Sequence, residues 1–528
     1  VPYSRMIHEQ LAGDLLPPQD GGSVNANGTV ALGFLALGPK AVVEIDKTKT
    51  FYDVVDEQID TTSKAFLGLT VSCARCHDHK FDPVSAKDYY SLAAVFSNTR
   101  TFENNTERMS RVYMAPLVPE SVYEQYRRHE DRLAAAKMQA AALLDTEVWN
   151  YSTSHLFSRT AEYMVAAWKV QHAGAKAEDV VSAMNLDARV VNAWVKYLDP
   201  RGGFRPHLKE IHEATPANVA EKANAYAEKF RGVAKRWQQV LLEWKLAADS
   251  AATASAKLPK SPNVEYNDGK ATFNDPSDRF FVEVAIPART LNDRTSIDGP
   301  FVVPDKEQEA HLPREVLERL AALRKTADEL TKAAPPKPPM ANAVAEGPSF
   351  EQKVLVRGSH MNPGEPVQKG VPEVIRVGHD RFPQSGSGRK ELAAWLTDPR
   401  NPLTSRVMVN RIWGWRFGEA LVRTSNNFGL TGDVPVHPEL LDYLASEFVK
   451  SGWSIKSMHR LTMLSSAYQS SSAISDEAWK ADPENRLLSR FPRRRIRVEE
   501  MRDSWLELSG KLDTRRGGIF DPVDAPPP

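Results

Sequence analysis

Tyr226-Ala227-Glu228-Lys229-Phe230-Arg231-Gly232-Val233-Ala234-Lys235-Arg236-Trp237-Gln238-Gln239-Val240-Leu241-Leu242-Glu243-Trp244 sets large apolar residues three and four positions apart. That spacing puts them on one stripe of a helix and predicts an amphipathic helix whose aromatics face a core. The pattern extends outward. From Pro119 to about Ala252 the chain is rich in Ala, Lys, Glu and Arg, and Leu133, Met138, Leu143, Trp149, Phe157, Met164 and Trp168 keep the helical period. The fold class that follows is mainly α: a multidomain helical protein with a few short β-strands.

Four segments are expected. Residues 1–118 form a helical domain. Residues 119–334 form a helical or coiled-coil middle region with a turn-rich insert, in which Glu307 to Lys332 is one charged helix. Residues 335–384 are a linker with short strands, and residues 385–528 are a C-terminal helical domain. Arg279–Val284 and Lys353–Arg357 are the strand candidates. Ser85 and Asp88 fit a capping box that starts a helix carrying Tyr89, Tyr90, Leu92 and Phe96 on its core face. Pro438 suits the first turn of a helix opened at His437.

Composition narrows the function. Lys and Arg total 68, as do Asp and Glu, so no net positive charge is present to drive nucleic-acid binding. No apolar run approaches the ~18 residues needed to span a bilayer. Collagen, fibrous coiled coil, membrane channel and disulfide-rich scaffold are excluded. The chain begins at Val1 in patterned sequence without a signal peptide, so an exported protein would carry its signal upstream.

The chain's two cysteines stand together, in Cys73-Ala74-Arg75-Cys76-His77-Asp78-His79-Lys80-Phe81-Asp82-Pro83. CxxCH is the attachment motif of c-type haem. The two thiols add across the haem vinyl groups, and His77 can reach the iron as an axial ligand. His79 is too near His77 in sequence to reach the opposite haem face. His8, Met6 and Met109 are the candidates for that position, and an open sixth position is the alternative. Other readings compete. Cys73, Cys76, His77, His79 and Asp82 can be read as direct ligands of zinc or iron. The CxxC pair can be a redox disulfide, although no thioredoxin-like strand–CxxC–helix pattern surrounds it. In the last reading the cysteines are small buried residues and the histidines cap backbone groups.

Gln10-Leu11-Ala12-Gly13-Asp14-Leu15-Leu16-Pro17, Asp60-Thr61-Thr62-Ser63 and Leu67 to Pro83 resemble the N-terminal domain of the planctomycete cytochrome-associated family of exported proteins. Asn401-Pro402-Leu403-Thr404, Arg406 to Trp413, Phe428-Gly429, His437 to Asp442 and Ser451-Gly452-Trp453-Ser454 resemble its C-terminal partner domain. The segment from Val356-Arg357-Gly358 to Gly364-Glu365-Pro366 between them matches as well. Both domains are of unknown function. The resemblance implies export to the periplasm or cell surface and a link to c-type haem through an upstream cytochrome domain. Because that upstream domain holds the family's recognised haem, another metal stays open for Cys73–His77. Family members commonly have histidines where this chain has Gly414-Trp415-Arg416.

Three functions are therefore carried forward. The first is an exported, haem-linked protein of electron transfer or redox chemistry, with haem c on Cys73 and Cys76, His77 as axial ligand, and redox proteins or an upstream cytochrome domain as partners. The second is a metal-dependent enzyme, hydrolytic and acting on a polysaccharide, with His77, His79 and Asp82 at the ion. The third is a non-catalytic scaffold whose middle region binds a partner. Arg493-Arg494-Arg495 with Arg497 is a basic run that Glu499, Glu500 and Asp503 can neutralise locally. Asn410, Arg411, Asn427 and His437 are candidates for a shared pocket, and Asp14 and Asp60 for partners of Arg75 or His79.

Overall fold

The computed structural model describes residues 1–18, 21–104, 109–199, 201, 205–254, 259, 280, 283–285, 299–378, 382–383 and 385–514. The chain is mainly helical, with short strands in antiparallel pairs. It divides into two compact units. One joins Val1–Pro119 to Pro338–Pro528, and the other is Glu120–Lys337. The sequence segments 1–118, 335–384 and 385–528 thus lie, to within a few residues, in the first unit.

The longer elements are labelled in chain order. Tyr3–Ala12 is α1, Lys47–Thr62 α2 and Ala86–Ser97 α3. Thr99–Arg100, Phe102–Asn104, Arg111–Val112 and Met114–Pro116 are β1 to β4. Glu120–His155, Thr160–His172, Ala188–Tyr197, Val219–Ala254 and Arg314–Lys332 are α4 to α8. Met340–Asn342, Ala345–Glu346, Lys353–Leu355 and Pro363–Pro366 are β5 to β8. Arg389–Leu396, Thr404–Phe417, Pro438–Lys450, Ile455–Met463 and Val498–Leu508 are α9 to α13.

The strands explain how one unit is built from two stretches of chain. β1 pairs with β6 (Thr99 opposite Glu346) and β4 with β5 (Met114 opposite Asn342). The Leu117 amide donates to the Pro339 carbonyl at 2.9 Å. The chain therefore leaves and re-enters this unit through neighbouring strands, which lets a second unit be inserted with little distortion of the first.

The first unit's core runs across that junction. Ile7 and Leu11 of α1 share a buried cluster with Tyr89, Tyr90 and Phe96 of α3, Trp395 of α9 and Trp413 of α10. α3 starts where the sequence signals it: the Ser85 hydroxyl accepts from the Asp88 amide and Asp88 accepts from the Ser85 amide, completing a capping box. Its expected aromatic face is buried.

The second unit packs α7 and α8 each along α4, with α5 against α6 and α7. Its core gathers Trp149, Phe157, Trp194, Phe230, Trp237 and Phe301, as the opening stretch of sequence requires. Two expectations are corrected. The helix read from Glu307 begins only at Arg314, because Pro313 has no amide hydrogen for the ladder and stands at its N-cap; a single 3-10 turn covers Gln308–His311. Of the strand read over Arg279–Val284, Phe280, Glu283 and Val284 are helical, and the rest lies outside the described residues. Both Phe280 and Val284 are buried in the helical core, where a turn puts them on one side. Among the described residues, no helix is long and apolar enough to cross a membrane.

Candidate functional site

The cysteine segment is shaped by a glycine and a short helix. Gly68 ends the preceding helical turn in the left-handed region (φ 62°). A Cβ there would stand 2.8 Å from the Phe428 ring, and the Phe428 amide donates to the Gly68 carbonyl at 2.7 Å. The close approach and the positive φ both call for glycine. Val71–Arg75 then forms a 3-10 helix with Val71 and Ala74 buried. With three residues per turn, those two share the inner side. Cys73 and Cys76 consequently face solvent, and both thiols are free.

Packing around Arg75 fastens the turn. Its guanidinium meets Asp53 at 3.0 Å and Asp56 at 3.2 Å. The Tyr89 hydroxyl donates to Asp56 at 2.7 Å, and the Tyr90 hydroxyl donates to the Arg75 carbonyl at 2.9 Å. Burial pushes the Tyr90 phenol well above its ordinary value, so it stays a donor. Burial alone would raise the Asp53 carboxyl, but hydrogen bonds from Lys49 and Arg75 hold it below the usual range. The Cys76 sulfur lies against Gly358, where φ is 72° and a Cβ would come within 2.6 Å of Sγ.

The histidines divide. His77 is exposed, and its Nδ1 lies 2.7 Å from the Asp78 carbonyl oxygen. A carbonyl only accepts, so Nδ1 carries the proton and Nε2 keeps its lone pair. His79 turns inward, with 6% of its side chain exposed. Its Nδ1 accepts from the Asp82 amide at 2.8 Å, which leaves Nε2–H to donate to the Thr70 hydroxyl at 3.2 Å. Both ring nitrogens are used.

Asp82 is buried and accepts from the Leu430 amide at 2.7 Å. Its other oxygen packs on Gly429, where a Cβ would meet it at 2.3 Å. The 3.6 Å approach to His79 Nδ1 is not an ion pair, because that nitrogen is the acceptor of the Asp82 amide. The five candidate ligands are thus not brought to one point. Cys73, Cys76 and His77 face outward, while His79 and Asp82 face inward. Among the described residues, no three His, Cys, Asp or Glu side chains are grouped to hold a metal ion.

The remaining candidates serve the fold. His8 Nε2 lies 3.0 Å from the Thr397 hydroxyl, Met6 packs on the core, and Met109 is exposed. Asn410 is fully buried and closes a turn by exchanging two hydrogen bonds with the Val422 backbone. Asn427 bonds Gly429 and Thr431, and His437 stands at the N-cap of α11. Arg411 reaches the N-terminal segment and donates to the carbonyls of Lys64 and Ala65 and to Asn426. These four residues close separate contacts. The basic run at Arg493–Arg497 is exposed; Arg494 lies 3.7 Å from Glu500, whose carboxylate also accepts the Arg497 amide. In the stretch where the family commonly has histidines, Arg416 donates to His459 at 3.0 Å.

Asp14 and Asp60 have other partners than expected. Asp60 pairs with Lys64 at 2.7 Å, one helical turn away. Asp14 takes Arg389, a fully buried guanidinium that no local sequence pattern singles out. Arg389 Nη1 and Nη2 reach the two Asp14 oxygens at 2.9 and 2.8 Å, and Nη2 also reaches Glu346 at 2.9 Å. Nε donates to the Ser387 hydroxyl at 3.1 Å, and Nη1 also reaches the Leu11 carbonyl at 3.1 Å.

Comparison with known proteins fits this arrangement. Residues 1–101 match PSCyt2, a protein family of unknown function (DUF1549), and residues 388–527 match PSD1, a protein family of unknown function (DUF1553). No curated protein and no solved structure matches the chain. Both matched segments lie in the first unit, and the contacts of Gly68, Asp82, Arg411 and Arg389 run between them. The two models matched are those of the paired domains of the planctomycete cytochrome-associated family.

Proposed function

We propose that Cys73, Cys76 and His77 attach a c-type haem and that the chain is a redox component of an exported electron-transfer system. One observation carries the reading. The fold uses His79 and Asp82 internally, yet leaves two free thiols and a bare imidazole nitrogen facing solvent within five residues.

The donor chemistry fits the group. Cys73 and Cys76 are exposed and free to form thioethers. His77 is held in the tautomer that ligates iron, since Nδ1–H is bound to a backbone carbonyl and Nε2 is free. Gly358 leaves room beside Cys76 that any side chain would fill. Asp53 and Asp56 neutralise Arg75, so the turn between the thiols stays fixed. Both cysteines and His77 are exposed, so covalent bonds would anchor the group at this surface segment. A haem held there supplies a one-electron redox centre. Export supplies the compartment in which such attachment takes place, and the partner is an upstream cytochrome domain or a separate redox protein.

A directly bound zinc or iron ion is the second reading, favoured by the same bare Nε2 and thiols. It would need Cys73, Cys76 and His77 to move together around the ion, because no three such side chains are grouped among the described residues and His79 and Asp82 are occupied. Expression in a host with cytochrome c maturation, followed by a pyridine haemochrome spectrum, separates the two. A c-type band that survives denaturation and disappears in the Cys73→Ala/Cys76→Ala variant is expected. A folded, colourless protein would overturn the haem reading, and its metal content would then decide the second.

A further inference from the structure

A cleft of about 480 Å³ opens beside α2 and α3, within the first unit and separate from the cysteine segment. That volume lies in the usual range for small-molecule pockets. Five aromatic residues line it: Phe51 and Tyr52 from α2, Phe96 from α3, Phe102 from β2, and Phe350. The Phe51 and Phe350 rings stand 5.4 Å apart, so the wall is built from rings already in contact.

The charged groups are two and of one sign. Lys47 and Arg100 are the only charged residues among the lining, so every formal charge there is positive. Lys47 Nζ is 3.1 Å from the Ser110 hydroxyl, and the Arg100 guanidinium stacks 4.6 Å over the Tyr113 ring. The Arg100 hydrogen bonds to the Phe102 and Glu103 carbonyls are long, at 3.4 and 3.5 Å, and among the described residues no carboxylate pairs with it. Ser97 also lines the cleft. It is 4% exposed, and its hydroxyl has no hydrogen-bond partner. A buried hydroxyl without a partner is costly, and a polar ligand atom would satisfy it.

From these observations we propose that the cleft binds a small aromatic acid. Its rings stack among Phe51, Phe102 and Phe350, its carboxylate faces Arg100 and Lys47, and a polar atom reaches Ser97. The site is independent of anything held at Cys73 and Cys76, and the test below does not require that centre to be loaded.

The probe is 2-naphthoate, titrated by calorimetry into the whole chain, with neutral 2-naphthalenemethanol as its uncharged counterpart. Saturable one-to-one binding is expected, with the acid preferred. Arg100→Gln should weaken the acid by about fivefold or more and leave the alcohol unchanged, since only the acid loses a charge-assisted contact. Ser97→Ala should weaken the acid a few-fold. Thr48→Trp, made at an exposed lining position at the mouth, should abolish binding of both. Circular dichroism shows that each variant is folded. Absence of saturable binding at millimolar probe, binding indifferent to Thr48→Trp, or equal affinity for acid and alcohol would overturn the proposal.

Discussion

Replacing Arg389 by Met keeps most of the aliphatic stem and removes the guanidinium. The structure shows what is left behind. Asp14 and Glu346 lose a shared cation, and the Leu11 carbonyl and the Ser387 hydroxyl each lose a donor. Deleting one partner of a buried ion pair typically costs about 3–5 kcal/mol, because the remaining charge stays buried and unpaired. Here the carboxylates keep 21% and 34% of their side-chain surface in water, which allows partial resolvation and places the expected loss near the lower end, about 3 kcal/mol. Arg389→Lys keeps the charge but cannot serve two carboxylates in a forked geometry, so it should recover only part of the loss. With two compact units, a single unfolding transition is not assured. Hydrogen exchange read by mass spectrometry is therefore the assay, with α1 and α9 as reporters and α5 to α7 as internal control. The dependence on pH gives a second check. Burial works against the Glu346 charge, but hydrogen bonds from Ser387 and Arg389 outweigh it and hold the carboxyl below its ordinary value. Its contribution is then present above the unfolded value of about 4.3 and lost as pH falls through the lower folded value. Arg389→Met should lose part of that acid dependence. A change below about 1 kcal/mol at α1 and α9, or equal loss in α5 to α7, would refute the reasoning.

Two more perturbations probe the cysteine segment and its anchor. Asp82→Ala removes a buried carboxylate and its bond to the Leu430 amide and should cost about 1–3 kcal/mol, whereas His77→Ala, at an exposed position, should stay within about 0.5 kcal/mol in the protein without bound metal or haem. Comparable losses for the two in urea unfolding would contradict the division into an inward and an outward half. Gly68→Ala forces a side chain into the left-handed region against Phe428 and should cost at least about 1–2 kcal/mol; a neutral or stabilising result in the same assay would show that the Gly68–Phe428 approach is not close.

What could be read in the sequence was local. The Tyr226–Trp244 stripe needs only its own helical period to predict a buried face, and Ser85 with Asp88 needs only a spacing of three to start α3. The unread contacts were distant. Arg389 and Asp14 are 375 positions apart, and Asp82 and Leu430 are 348 apart, so no window on the chain could pair them. The division of the cysteine motif is hidden in the sequence for a subtler reason. Five potential ligands in ten residues look like one site when only residue type is counted. The signal that separates them is apolar: Val71 and Ala74, three apart, turn the thiols outward. The following turn, closed by the His79 amide on the Val84 carbonyl, sends His79 and Asp82 inward.

The same geometry gives the motif two physical tasks. Its outward half has no role in packing and is free for chemistry. Its inward half fastens the PSCyt2 segment to the PSD1 segment, together with the carbonyls of Lys64, Ala65 and Gly68 that accept from Arg411 and Phe428. Each of these bonds has one partner in either segment. Separated, the N-terminal segment would keep a buried carboxylate and carbonyls without these donors, and the C-terminal segment two amides without these acceptors and an Arg411 guanidinium left with Asn426 alone. A buried polar group stripped of its partner costs more than the bond itself is worth. The segment that presents the thiols is thus fastened by bonds that each need a partner from both matched segments, so the two contribute together to how Cys73 and Cys76 are held.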